Sequence, residues 1–395
     1  MTYVRPTLVS PALPARCLLL ALTAVLGCSD DASGDGTEGG SGTEGTGGGT
    51  AMVDGTGSDG AMTSSASGSA TDGEDTTAGE DESSGDTGEP GGVPCLDEQF
   101  ASGHSPGPDY SEFDVELGSH CQGTNQQDIL GVERVVFVGD SVTVGTPPTG
   151  AMAFYRSILA NELADLFGLM PPDILWEQVD PFSGTSISQE SGDFASCAVW
   201  GARNDDLASQ LQDCFSPEDY DLRTLVVWTM GGNDVSAIVQ DSIAGAPLAD
   251  SLMQLEEMVA NHEAAVQWLT DPATFPNGAF VVNANVYEFT DYTVDLLSCP
   301  AADLAGFSSN PESPEVLLGS LNLINEEYMR IAQENGTDVV FMFEAFCGHG
   351  FHSGDETTAC YRGPGNDNWF DLTCIHPTPE GHSQIADMFL SVISE

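Results

Sequence analysis

Four short stretches of the sequence hold residue types that can do chemistry. Gly139-Asp140-Ser141 closes the apolar run RVVFVG, and Gly231-Gly232-Asn233-Asp234 closes the run TLVVWTM. Gly201 lies in VWGARNDDL, and WFDLTCIHPTPEGH (residues 369–382) carries Asp371, Cys374, His376 and His382. A serine hydroxyl is a weak nucleophile until a neutral imidazole takes its proton, and Ser141 with His376 could form such a pair. Attack on a carbonyl leaves negative charge on oxygen. The backbone N–H groups of Ser141 and Gly201 and the Asn233 side chain are donors of the kind that stabilise it, each typically worth about 3 kcal/mol. Taken singly, each stretch has a plainer explanation. Asp-Ser and Asn-Asp are common turn and cap residues, and a lone glycine most often serves a turn.

These residues can cooperate only if the fold gathers them. β-branched and aromatic runs bounded by turn residues predict strands at 134–139, 174–179, 224–232, 278–286 and 338–344. Apolar spacing with caps and closing glycines predicts helices at 151–168, 204–214, 248–270, 317–336 and 379–394. There is no internal repeat. Strands alternating with helices imply a parallel sheet covered on both faces, and sites in such sheets form at the carboxyl ends of the strands. GDS and GGND both fall there.

Order and placement together make the four stretches specific. They resemble, block by block, the SGNH or GDSL hydrolases, and the similarity spans residues 134–390. The resemblance implies an α/β class fold, a flavodoxin-like three-layer α/β/α sandwich with a five-stranded parallel sheet. It implies Ser141 as nucleophile, His376 as base, and an oxyanion hole made by Ser141, Gly201 and Asn233. No cofactor is implied. Acyl lipids, acetylated glycans and small acyl esters are all implied as substrates. The last block departs from the usual DxxH pattern: Thr373 stands three before His376, and the nearest aspartate, Asp371, stands five before. The second ring nitrogen of a catalytic histidine must be held so that the right tautomer faces the serine. Either the Asp371 carboxylate or a backbone carbonyl near Thr373 could hold it. Asp371 is assigned as the orienting acid, on the expectation that a disulfide bends its loop beneath the ring; the plain alternative is that it caps the loop. A rival function from another class is a non-catalytic surface module that binds glycan or calcium. The four intact blocks weigh against it, and the missing DxxH aspartate weighs for it.

The remaining sequence sets the setting. Residues 1–28 read as a secretion signal, with Arg5, Arg16, the short apolar run CLLLALTAVLG and a lipobox-like AVLGC. Cleavage before Cys28 and acylation of its thiol would anchor the protein to the cell envelope, at the outer membrane or cell surface; without the anchor it would be secreted. Residues 29–93 hold 15 acids and no base among Gly, Ser and Thr, the composition of a solvated tether with no site in it. Residues 94–395 are the folding domain. The formal net charge of −54, with no lysine in the chain, argues against nucleic acid as a partner. A monomer is expected. Eight cysteines in an exported domain point to disulfides, and sequence proximity suggests Cys197–Cys214 and Cys360–Cys374. His349, His352 and Asp355 could be metal ligands, but a disulfide-held loop is favoured and no metal is assigned. His104, His120 and His262 read as surface or packing residues, and His382 as structural.

Overall fold

The computed structural model describes residues 93–395. The expected signal, Cys28 and the tether, residues 1–92, lie outside the described residues. The sheet contains β1 (Arg134–Gly139), β2 (Glu190–Ser191), β3 (Phe194–Ser196), β4 (Thr224–Thr229), β5 (Ala279–Ala284) and β6 (Asp338–Val340), in the spatial order β2-β3-β1-β4-β5-β6. Five strands run parallel, and β2 adds an antiparallel edge. The parallel strands follow the flavodoxin order 2-1-3-4-5, so the chain reverses its direction of travel across the sheet between β1 and β4. A crevice opens there at the carboxyl ends of the strands.

The strands are apolar on both faces because both faces are covered. Val135 and Phe137 of β1 pack with α1 (Tyr155–Phe167) and α6 (Pro379–Ser394); Val136 and Val138 pack with α2 (Leu207–Cys214), α4 (Leu248–Thr270) and α5 (Pro314–Asn335). This is the three-layer α/β/α sandwich expected from the sequence.

Three expected strands are corrected. Residues 174–179 do not enter the sheet: Ile174–Glu177 is one helical turn, capped by Asp173 Oδ1, which accepts from the amides of Leu175 and Trp176. Only Trp176 of this run is buried, whereas Ile174 and Leu175 are exposed. β3 takes the expected position in the sheet. The expected strand 224–232 ends at Thr229. Gly231 turns with φ 116°, where a Cβ would meet Val286, Met258 and Tyr328 within 3 Å, and an unforeseen helix, α3 (Gly232–Ile243), begins. The expected strand 338–344 ends at Val340, and Met342–Phe346 is helical.

Four disulfides join the eight cysteines: Cys95–Cys121, Cys197–Cys214, Cys299–Cys374 and Cys347–Cys360. The second is as expected. The expected Cys360–Cys374 pair is not formed, because Cys374 reaches Cys299, 75 residues earlier, and Cys360 closes a 13-residue loop with Cys347. Proximity misled here because the entropy of closing a loop rises only slowly with its length.

His262 of α4 is fully buried, stacked 3.8 Å from the Tyr328 ring, and neither ring nitrogen has a partner among the described residues. Burial pushes its pKa down to about 3. The unfolded chain therefore binds a proton at His262 below about pH 6.5 that the folded protein refuses until about pH 3. Stability from this residue is present above pH 6.5 and is lost as pH falls. In His262→Phe, the stability lost between pH 6.5 and pH 4 should be smaller than in the wild type by roughly 3 kcal/mol. Denaturant unfolding at the two pH values measures it.

Candidate active site

Ser141 is the first residue of a helical turn, Ser141–Val144, that starts where β1 ends. Asp140 caps the turn, its Oδ1 accepting from the Val142 amide at 2.9 Å. The sharp exit requires Gly139, whose φ is 130° and where a Cβ would lie 2.4 Å from the Thr229 carbonyl oxygen. Gln210 grips the same glycine, its amide donating to Gly139 O and its oxygen accepting from Gly139 N. The far end of the turn is held by Arg156, which is wholly buried. It donates to the carbonyls of Thr143 and Val144 in this turn, and to those of Trp176 and Glu177 in the turn that replaced the expected strand. Burial lowers its pKa to about 9, so it still carries its charge at neutral pH.

His376 comes from a loop 235 residues away, and its Nε2 lies 2.9 Å from Ser141 Oγ. The loop is fastened at several points. Asp371 N donates to His376 O at 2.9 Å, Tyr287 Oη donates to Ile375 O at 2.7 Å, and Cys374 is tied to Cys299. Cys374 adopts a left-handed φ of 73° that this fastening sustains. Burial lowers the His376 pKa, and the Asp371 charge partly opposes that shift. The imidazole is therefore neutral at pH 7.

Neither expected partner touches the second ring nitrogen. His376 Nδ1 lies 2.7 Å from Thr373 Oγ1, and Thr373 Oγ1 lies 2.5 Å from Asp371 Oδ1. Asp371 also accepts from the Thr373 amide at 2.7 Å, so it caps the loop as well. The sequence had drawn attention to Thr373 only for a nearby carbonyl. The available signal was a hydroxyl in the DxxH slot, two residues after an aspartate able to form an Asx-turn.

Asn233, in the first turn of α3, lines the same cleft as Ser141. Its amide donates one N–H to Ala202 O at 2.9 Å, which leaves the second N–H free for another acceptor. That bond ties α3 to the loop of Gly201. Gly201 has a φ of 76°, and its own amide donates no hydrogen bond among the described residues. Asp234 accepts from Asn204 N and Nδ2. Burial raises Asp140 to about 7, with the Asp234 charge adding to the shift, and burial raises Asp234 to about 6, with the Asp205 charge adding to it.

The cleft beside Ser141 is mostly apolar, with Glu288 and Thr290 also in its lining. Its walls include Val239, Phe289, Leu296, Phe307, Leu317 and Leu321, drawn from α3, α5 and the segment between β5 and α5. The candidate metal ligands do not converge. His349 stacks on Trp369 with Nδ1 at 2.8 Å from Asp367 O, His352 pairs with Asp295, and Asp355 caps Thr357. His382 is buried in α6, its Nδ1 accepting from Tyr155 N, and is structural in that sense.

The sequence model of the GDSL-like lipase/acylhydrolase family matches residues 137–384, nearly two-thirds of the chain, from within β1 to the first turns of α6. The chain belongs to the GDSL-like lipase/acylhydrolase family. Comparison with curated protein sequences gives no match. Among solved structures this GDSL hydrolase is similar to the phospholipase A1 of Streptomyces albidoflavus NA297, at 18% identity over 66% of this chain and 99% of that one, with a TM-score of 0.40. It is similar to an extracellular lipase of Streptomyces rimosus, at 18% identity over 66% and 100% of the two chains, with a TM-score of 0.40. It is also similar to the acetyl xylan esterase AlAXEase, at 16% identity over 65% and 98%, with a TM-score of 0.39.

Replacing Arg156 by Met would leave three buried carbonyls, and the half-buried one of Glu177, without this donor. Unpaired buried groups cost about 1–3 kcal/mol each before any relaxation. Arg156→Met should therefore lose at least about 3 kcal/mol of stability by denaturant unfolding, a larger effect than surface arginines show.

Proposed function

We infer that this GDSL hydrolase cleaves carboxylic esters through Ser141, and that its preferred substrates carry an apolar acyl chain. The observation that carries the inference is the 2.9 Å approach of His376 Nε2 to Ser141 Oγ at the mouth of an apolar cleft. The hydroxyl proton passes to His376 as Oγ bonds the ester carbonyl carbon. The carbonyl oxygen becomes an oxyanion, to which the Ser141 amide, the Gly201 amide and the free Asn233 N–H are the available donors. His376 then returns the proton to the departing alcohol. Water, activated by the same imidazole, releases the acid and restores Ser141.

The apolar cleft bears on the choice among acyl lipids, acetylated glycans and small esters. An acetyl group would leave most of such walls unfilled, whereas a longer chain would bury them. Each methylene removed from water contributes about 0.8 kcal/mol, close to fourfold in an equilibrium or rate ratio. On p-nitrophenyl esters, kcat/KM should therefore rise by up to about fourfold per methylene from acetate until the cleft is full. Ser141→Ala should abolish turnover in a folded protein. A rate that falls with chain length would sink the acyl-chain assignment, and an active Ser141→Ala would sink the nucleophile.

Export as a lipid-anchored protein of the cell envelope fits the signal-like residues 1–28 and four disulfides, which persist in oxidising compartments. Among the described residues no helix is long and apolar enough to cross a membrane, so membrane attachment would rest on acylation at Cys28. Mass spectrometry of the mature protein should find an N-terminal diacylglyceryl cysteine at position 28. An unmodified N-terminus on a protein that stays in the aqueous fraction would exclude the anchor.

A further inference from the structure

We propose that Thr373 is a positioning residue that relays the influence of Asp371 to His376, so that the site is a serine–histidine pair oriented by a threonine hydroxyl bridging to a carboxylate. The proposal rests on the Ser141–His376 assignment made above and deepens it.

The bond sense of the chain follows from proton counting. An ionised carboxylate can only accept hydrogen bonds, and a threonine hydroxyl has one proton to give. With Asp371 Oδ1 at 2.5 Å, that proton is committed to the carboxylate. Thr373 Oγ1 then offers His376 only lone pairs, and at 2.7 Å it accepts the proton on Nδ1. A neutral imidazole protonated on Nδ1 carries its free lone pair on Nε2, the atom that lies 2.9 Å from Ser141 Oγ. One hydroxyl proton thus sets the tautomer of the base. The reverse sense, with Thr373 donating to Nδ1, would put the imidazole proton on Nε2, where it cannot take one from serine.

The bridge is held in place by contacts that do not involve the hydroxyl. Asp371 Oδ1 also accepts from the Thr373 amide at 2.7 Å, and the Cys374 amide donates to Asp371 O. The β-branched side chain restricts χ1 and keeps the hydroxyl aimed. Asp371 makes no direct hydrogen bond to the ring among the described residues, and its Oδ2 is buried without a partner. Its charge still favours the imidazolium that forms during reaction, opposing the burial that disfavours it.

Because the turn uses the Thr373 backbone, Thr373→Val removes the hydroxyl and leaves the turn intact. The imidazole would then lack an acceptor at Nδ1 and favour the wrong tautomer, a defect that costs about 10⁴-fold in the related serine–histidine–aspartate system. The test uses the full-length protein and the ester identified by the chain-length series. Thr373→Val should lower kcat by about 10²- to 10⁴-fold with KM little changed, and Thr373→Ser should stay within about threefold of wild type. Asp371→Ala frees the hydroxyl to donate to Nδ1 and should match Thr373→Val. The double variant should be no worse than either single one, since both remove the same relay. Asp371→Asn keeps an acceptor for the hydroxyl but loses the charge, so the acidic limb of its kcat/KM profile should move to lower pH. A Thr373→Val activity within tenfold of wild type, or additive single effects, would overturn the relay while an inactive Ser141→Ala leaves the serine site standing. An active Ser141→Ala would overturn the serine site and the relay with it. Should Thr373→Val fail to fold, an unshifted limb in Asp371→Asn would be enough to reject the relay.

Discussion

The hydrogen bond between Ser141 and His376 joins residues 235 positions apart, and much of the fold is arranged so that it can form. One partner leaves a central strand and the other sits on a loop with little regular structure. The serine side is fixed by steric necessity: where the chain leaves β1, a Cβ on residue 139 would lie 2.4 Å from the Thr229 carbonyl oxygen, and only glycine avoids that contact. The histidine side is fixed by tethers instead. Tyr287 and Cys299 hold the 370–377 loop to the segment that follows β5, and the Phe370–Pro377 bridge pins the two ends of the loop to each other. A loop without such tethers would sample many positions at a cost in entropy when the site assembles.

Burial then sets the chemistry. Desolvation shifts Asp140, Asp234 and His376 near the serine, with opposite consequences for acids and bases. It keeps His376 neutral and so able to accept a proton. It raises Asp140 to about 7, which suits a residue whose task is to accept from a backbone amide rather than to carry charge into the cleft. Behind the ring, Asp371 Oδ1 accepts from the hydroxyl and the amide of Thr373. The Asp371 carboxylate thus lies behind the imidazole, while the walls of the cleft on the substrate side are mostly apolar.

The parts of this arrangement that depend on local pattern were legible in the sequence. β1, α4 and α6 are long enough or apolar enough for periodicity to identify them, and GDS and GGND mark strand ends by their glycines. The segment 174–179 was not legible, because a short apolar run looks alike in a strand and in a helical turn. What decides it is Asp173 capping and the remote demand of Arg156 for the Trp176 and Glu177 carbonyls. The helix α3 was hidden behind the GGND block, whose turn chemistry masked the apolar spacing that follows. Ser141, His376, Asn233 and Asp371 were named from sequence and meet at one end of the sheet; the Thr373 hydroxyl between two of them was not foreseen. A single side-chain rotation decides which group faces Nδ1, and spacing carries no information about it.

The disulfide that sequence proximity missed joins two tasks in one piece of structure. Cys299 lies in the segment that also supplies Phe289, Leu296 and Phe307 to the apolar cleft, and Cys374 lies between Thr373 and His376. Tyr287, from the start of that segment, bonds Ile375 on the other side of Cys374. The wall that would meet the acyl chain and the loop that carries the base are therefore one tethered unit rather than two independent loops. A Cys360–Cys374 bridge would have tied the base loop to 348–360 and left the cleft wall free of it. With the observed pairing, the wall is joined to the loop at Cys374 and at Ile375 beside it.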